Sequence, residues 1–220
     1  MRLAALFSGG KDSSYCIRLA QLAGHEVVRL VTAYAPEASY MYHVPAIILS
    51  ELAAEALGIE QVRFEVNLDD ELSPLEGALS QIDVEGVLAG AVASEYQRSR
   101  IDGICENLGL DLVAPLWHRD PTILLREMLG DGFEIMIVGV AADGLGEGWL
   151  GEILGPSNLD RFLDLCQRFR IHPCGEGGEY ESFVLSGPHM RGRIVPKFKK
   201  IWNGVSGELE IEGAELIPWP

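Results

Sequence analysis

The chain has 220 residues, 48% hydrophobic and 23% charged, enough for one large domain or two small ones with a substantial buried core. Its 33 acidic and 17 basic residues leave a net charge of −16, which opposes stable binding to nucleic acid. No apolar run reaches transmembrane length and no signal-peptide pattern precedes the first glycines, so a cytoplasmic protein without a membrane partner is expected.

The apolar run Leu3–Phe7 reads as a buried strand and Asp12 to about Ala23 as an amphipathic helix, with Gly24 as its stop. Val27–Tyr34 is a second strand, followed by a loop at 35–39 and a helix from Val44 or Pro45 to Leu57. Val62–Val66, Gly86–Val92 and Leu112–Ala114 continue the strands, alternating with helices over Leu72–Ile82 and Tyr96–Leu108. This alternation predicts a Rossmann-like α/β fold, a parallel five-stranded sheet with helices on both faces, which binds ligands beyond the carboxyl ends of its strands.

Near Pro115-Leu116-Trp117 the pattern changes. A helix over Thr122–Leu129, a strand over Phe133–Ala141 and a helix over Asn158–Phe169 capped by Ser157 are followed by short β-like pieces at 183–186, 193–202 and 208–217. The expected division is a larger α/β domain over 1–118 and a smaller α+β domain over 119–220. The basic cluster Arg191, Arg193, Lys197, Lys199 and Lys200 reads as a solvated edge strand or as a contact with a protein or RNA partner. Cys16, Cys105, Cys166 and Cys174 form no C-x-x-C pair, which argues against a zinc ribbon or a dithiol redox centre and fits a reduced compartment.

Two segments carry chemistry. Ser8-Gly9-Gly10-Lys11-Asp12-Ser13-Ser14 lies between the first strand and the first helix. Adjacent glycines permit a tight turn and close approach of an anion to backbone N–H groups, the helix N-terminus adds unpaired donors, and Lys11 with three serines completes a cradle for phosphate. The glycine spacing is not that of Walker A. The second segment, Cys174–Ser182, packs three glycines and the carboxylates Glu176, Glu179 and Glu181 into nine residues. Such carboxylates repel one another unless a cation sits among them, and Mg²⁺, ammonium or a cationic substrate group would serve.

The first segment resembles the pyrophosphate loop (PP-loop) of the N-type ATP pyrophosphatases, which cleave ATP between the α and β phosphates and adenylate a substrate. Gly175-Glu176-Gly177-Gly178-Glu179-Tyr180-Glu181 together with that loop is similar to the diphthine–ammonia ligase family. Ser39–His43, Gly90-Ala91, Ser94–Arg98, Ala114–Trp117 and Gly144-Leu145 with Trp149–Gly151 extend the resemblance to nearly the whole chain, with Ser182 standing where Thr is expected and Glu95 where Asp is expected. The resemblance implies amidation of the diphthine carboxylate on translation elongation factor 2 with ATP, Mg²⁺ and free ammonium. It implies ATP contacts from Ser8, Gly9, Gly10, Lys11, Asp12, Ser13, Ser14, Ser39, His43 and Gly90, with Asp12 toward the metal. It implies substrate contacts from Ser94, Glu95, Tyr96, Gln97, Asp143, Gly144, Gly177, Gly178 and Tyr180, and chemistry from Lys11, Glu176, Glu179 and Glu181. Tyr180 reads either as a cover for the substrate's quaternary ammonium or as a packed loop aromatic. A homodimer stays open, as do another PP-loop enzyme acting on tRNA and a nucleotide-binding sensor without chemistry.

Overall fold

The computed structural model of the chain describes residues 1–34, 45–66, 70 and 72–220, the side chains of 45–48 excepted. Its first part alternates β1 (Arg2–Leu6), α1 (Lys11–Leu22), β2 (Glu26–Tyr34), α2 (Pro45–Leu57), β3 (Gln61–Glu65), α3 (Leu72–Ser80), β4 (Gly86–Leu88), α4 (Glu95–Leu108) and β5 (Asp111–Val113). The strands form one parallel sheet in the order β3-β2-β1-β4-β5. Side-chain alternation along β1 explains why it is covered on both sides. Leu3, Ala5 and Phe7 join the core that contains α1 and α2, whereas Ala4 joins Leu75 and Leu79 of α3 and Ile104 and Cys105 of α4. Order reversal on either side of β1 places a crevice at the carboxyl ends of β1 and β4, where the phosphate-loop segment lies.

The second part contains α5 (Pro121–Gly130), β6 (Glu134–Val140), a short 3₁₀ turn (Glu147–Trp149), β7 (Ile153–Leu154), α6 (Leu159–Phe169), β8 (Tyr180–Ser186), β9 (Gly192–Trp202) and β10 (Gly207–Pro218). Its strands are all antiparallel: β8 pairs along β6, β7 and β10 pair with the two ends of β6, and β9 pairs along β10. One hydrophobic cluster runs from Leu3, Ile17 and Leu49 through Leu124 and Met128 to Ile135, Phe162 and Ile194, so α1 and α2 are shared between the two sheets. Arg191 N–H donates to the Ala56 carbonyl at the end of α2 (2.7 Å), tying the β8–β9 turn to that helix. Among the described residues, no helix is long and apolar enough to cross a membrane.

Several boundaries differ from expectation. The strand expected to reach Val92 ends at Leu88, because the chain turns at Gly90 to pass against α1. The β piece expected from Phe183 starts at Tyr180, since Val140 and Gly139 of β6 pair with Tyr180 and Glu181. Ser157 does not cap α6: Asn158 occupies that position, and its Oδ1 accepts from the Gly155 N–H instead (2.9 Å). Within the basic cluster, Arg193 pairs with Glu134 of β6 (2.5 Å), and Lys197 with Glu215 (3.7 Å) and Lys199 with Glu212 across to the adjacent β10.

His189, in the turn after β8, stacks on Phe133 with ring centroids 5.4 Å apart. Burial pushes its pKa down to about 4 and the Arg18 charge adds to the effect, while neither buried ring nitrogen has a hydrogen-bond partner. The unfolded chain therefore takes up this proton first. Stability from the neutral ring is complete above about pH 6.5 and is lost as pH falls toward 4. Replacing His189 by Gln should flatten the fall in urea-unfolding midpoint over that interval, an effect of about 3 kcal/mol at most.

Candidate active site

The phosphate-loop segment begins where β1 ends. Phe7 is fixed by its N–H to the Val31 carbonyl (2.9 Å) and by the Thr32 hydroxyl on its own carbonyl (2.8 Å). Gln61 donates to both Thr32 Oγ1 (2.8 Å) and Ser50 Oγ (3.1 Å), so the buried hydroxyls under the turn are satisfied. Ser8 Oγ accepts from the Gly10 N–H (3.2 Å) and lies 3.3 Å from Ser13 Oγ, which in turn reaches the Gly10 carbonyl (3.1 Å). Helix α1 starts on Gly10 with no side chain capping it. In contrast, Ser94 caps α4 through the Gln97 N–H, and Asp120 caps α5 through the Ile123 N–H. At the first turn of α1 the Lys11 N–H donates to Ser182 Oγ of β8 (3.4 Å), so that strand reaches the start of the helix.

The two glycines have separate duties. Gly9 has φ +79°, and a Cβ there would lie 2.5 Å from the Phe183 ring of β8. Its carbonyl accepts from the Val184 N–H (3.0 Å). A Cβ at Gly10 would sit 3.2 Å from both the Ser182 carbonyl and Ser8 Oγ. Gly90 serves the other side of the loop, since a Cβ there would lie 3.0 Å from the Ser13 backbone nitrogen. All three allow backbone to approach backbone where the turn, α1, β4 and β8 converge.

Lys11 does not point out of this cradle. Its side chain is only 3% exposed, and its Nζ donates to Asp12 Oδ2 (2.8 Å) and the Cys174 carbonyl (2.5 Å). It also lies over the Tyr180 ring at 5.0 Å from the centroid. Burial opposes its charge most, but Asp12, Tyr180 and Cys174 together outweigh it and hold the ammonium above the usual lysine range. Asp12 itself is pushed up by burial, with Lys11 opposing and Glu176 adding to the shift. Its Oδ1 is buried and has no hydrogen-bond partner.

The acidic loop is equally ordered. Glu176 Oε1 and Oε2 accept from the Val92 and Ala93 N–H groups (3.0 and 3.2 Å) in the turn between β4 and α4. Glu179 Oε1 accepts from the His172 N–H (2.9 Å) and Oε2 from the Gly177 N–H (2.8 Å), so this carboxylate braces its own loop. Tyr180 is buried, donates to the Pro173 carbonyl (2.6 Å) and packs edge-on against Phe162. It is a packed aromatic whose cation is Lys11, which corrects the alternative of an open cover for a substrate cation. Glu181 is exposed on β8, opposite Gly139. Gly177 and Gly178 are exposed at the tip, Gly178 with φ +77°.

The remaining expected residues lie further out. Ser94 spends its hydroxyl on the cap, Glu95 lies 3.6 Å from His118 Nε2, and Tyr96 is 68% exposed with Arg100 over its ring. The Gln97 backbone N–H is the donor that Ser94 caps. Asp143 and Gly144 follow Ala141, whose N–H donates to the Glu179 carbonyl (2.9 Å). A Cβ at Gly144 would meet Phe169 at 2.3 Å. Ser39 and His43 lie outside the described residues. The structure adds three participants the sequence reading passed over. His172 Nδ1 accepts from the Cys174 N–H (3.2 Å), and the Cys174 carbonyl and the Val92–Ala93 amides act through backbone atoms. His172 could have been flagged by its place immediately before the glycine-rich loop; backbone contacts leave no residue-type signal.

The two halves meeting at this crevice match two family models, the diphthamide synthase N-terminal domain over residues 1–112 and the diphthamide synthase C-terminal domain over residues 120–217. The chain belongs to the diphthamide synthase family. It is 36% identical over 222 residues to a diphthine–ammonia ligase of Homo sapiens, across 89% of this chain and 82% of that one. A diphthine–ammonia ligase of Danio rerio is 35% identical, with 89% and 86% covered. One of Schizosaccharomyces pombe is 34% identical over 95% of this chain but only 38% of its own length, so the family fold here corresponds to part of that longer relative.

Within the family site, Gly9→Ala tests the junction of turn and β8. It combines an unfavourable positive φ with a 2.5 Å approach to Phe183, and should destabilise the fold by about 2 kcal/mol or more in urea unfolding. Gly178→Ala, also at positive φ but with open space around its Cβ position, should cost only about 1 kcal/mol.

Proposed function

We propose that the chain is an ATP-dependent ligase that converts the diphthine carboxylate of translation elongation factor 2 to an amide with ammonium, releasing AMP and pyrophosphate. The observation that carries this reading is the contact of the acidic loop and β8 with the phosphate loop, through Lys11–Cys174 and Gly9–Val184, and with the adjoining β4–α4 turn through Glu176. An activating site and a site for the second substrate are thereby one structure. A carboxylate resists attack by ammonia because oxide is a poor leaving group. In the proposed sequence a carboxylate oxygen attacks the α-phosphorus of ATP and the bond to the β-phosphate oxygen breaks. Ammonium then loses a proton to solvent, its nitrogen attacks the acyl carbon, the bond to AMP breaks, and a second proton leaves the nitrogen for solvent to give the neutral amide. The first-turn N–H groups of α1 with Ser8, Ser13 and Ser14 are suited to the pyrophosphate portion.

Mg²⁺ fits one feature of this site. The buried Asp12 Oδ1 lacks a partner, while no group of three potential metal ligands occurs among the described residues. Such a site suits a metal held by one carboxylate plus substrate phosphates. Asp12 would hold it, and the ion would neutralise charge on the phosphates. The acidic loop, with Glu181 exposed on β8, faces the side on which the cationic substrate and ammonium enter in this reading.

The decisive assay incubates the full chain with ATP, Mg²⁺, ammonium and diphthine-bearing elongation factor 2, and follows AMP together with the mass of the factor. AMP formation with a one-dalton loss on the factor is expected. AMP formation only with tRNA would instead favour a tRNA-modifying relative, and tight ATP binding without any AMP would favour a sensor.

A further inference from the structure

Two charged groups tie the acidic loop to its neighbours, one from the phosphate loop and one toward the β4–α4 turn. Lys11 leaves the first to bind the Cys174 carbonyl of the second, and Glu176 leaves the second to bind two consecutive amides of the β4–α4 turn. The two links are near in space, since Glu176 and Lys11 both act on the charge of Asp12. A carboxylate whose two oxygens each take a backbone N–H is a charge-assisted clamp with fixed orientation. The turn it grips is short: Ala93 is followed directly by Ser94, the cap of α4, and Gly90 just before it packs on the backbone of Ser13. His172 Nδ1, accepting from the Cys174 N–H, and Glu179, accepting from His172 and Gly177, hold the loop in the shape that presents Glu176.

We infer that Glu176 is a positioning residue, a latch that holds the acidic loop in register with the β4–α4 turn, and that ammonium is received elsewhere in the site. Both its oxygens are directed at amides rather than into the crevice. Its contribution to turnover comes from keeping the second substrate's loop aligned with the phosphate cradle, where misplacement by an ångström is costly. The kinetic part of this inference rests on the ligase reading above; the latch itself does not.

The test uses the full chain with Glu176→Ala and Glu176→Gln. Steady-state kinetics with diphthine-bearing elongation factor 2 should show Glu176→Ala lowering kcat by about ten- to a hundredfold, with KM for ammonium and ATP changed by no more than about twofold. Glu176→Gln keeps one acceptor oxygen and should recover part of the loss. Amide hydrogen exchange should show lost protection at Val92 and Ala93 in Glu176→Ala, with the melting temperature little changed. A large rise in KM for ammonium, with kcat restored at saturating ammonium, would overturn the inference in favour of direct ammonium contact. Unchanged protection of the two amides would overturn the latch. If the unaltered chain forms no AMP with the factor, the ligase reading fails, and the exchange measurement still decides the latch.

Discussion

The structure depends on a buried ammonium. Lys11 sits at the first position of α1, yet its head group is enclosed by Asp12, the Cys174 carbonyl and the Tyr180 ring. A lysine charge taken out of water is tolerated only when anionic and dipolar partners surround it. Here the partners come from two distant parts of the chain, 163 residues apart for Cys174. The acidic loop is therefore part of the phosphate loop's own electrostatic environment.

The surrounding geometry follows from the same requirement of close approach. Gly9 yields space to Phe183, Gly10 to Ser182 and Gly90 to the first turn of α1. Val184 pairs with Gly9 as though β8 were extended into the turn. The shared hydrophobic cluster supports this contact from beneath: α1 packs toward both sheets, and Tyr15 meets Phe133 edge-on at 5.5 Å. A packed core has low compliance, so the position of β8 relative to the first helix is set to within fractions of an ångström.

The acidic loop shows how carboxylates in a small space can be accommodated. Glu176 and Glu179 are each satisfied by two backbone N–H groups, Val92 and Ala93 for the first and His172 and Gly177 for the second. Charge density read from residue types pointed to a bound cation. Much of that charge is instead answered by amide dipoles, with Lys11 contributing a full positive charge close by through Asp12. The chemistry of the loop is thus divided between carboxylates that shape it and surface that can meet a substrate.

By itself the sequence determined the parallel α/β half, because buried strands and amphipathic helices carry short-range periodicities, and it marked both glycine-rich segments, because such densities of glycine are unfavourable in regular structure. It also marked Lys11, Asp12, Glu176 and Glu179 as unusual. Only the tertiary structure decided what these side chains do. The partners of Lys11 and Glu176 are backbone atoms of Cys174, Val92 and Ala93, which any residue type would supply. The early start of β8 at Tyr180 depends on pairing with β6, a contact between residues some 40 apart that no local pattern encodes. Local chemistry named the groups; long-range packing chose their partners.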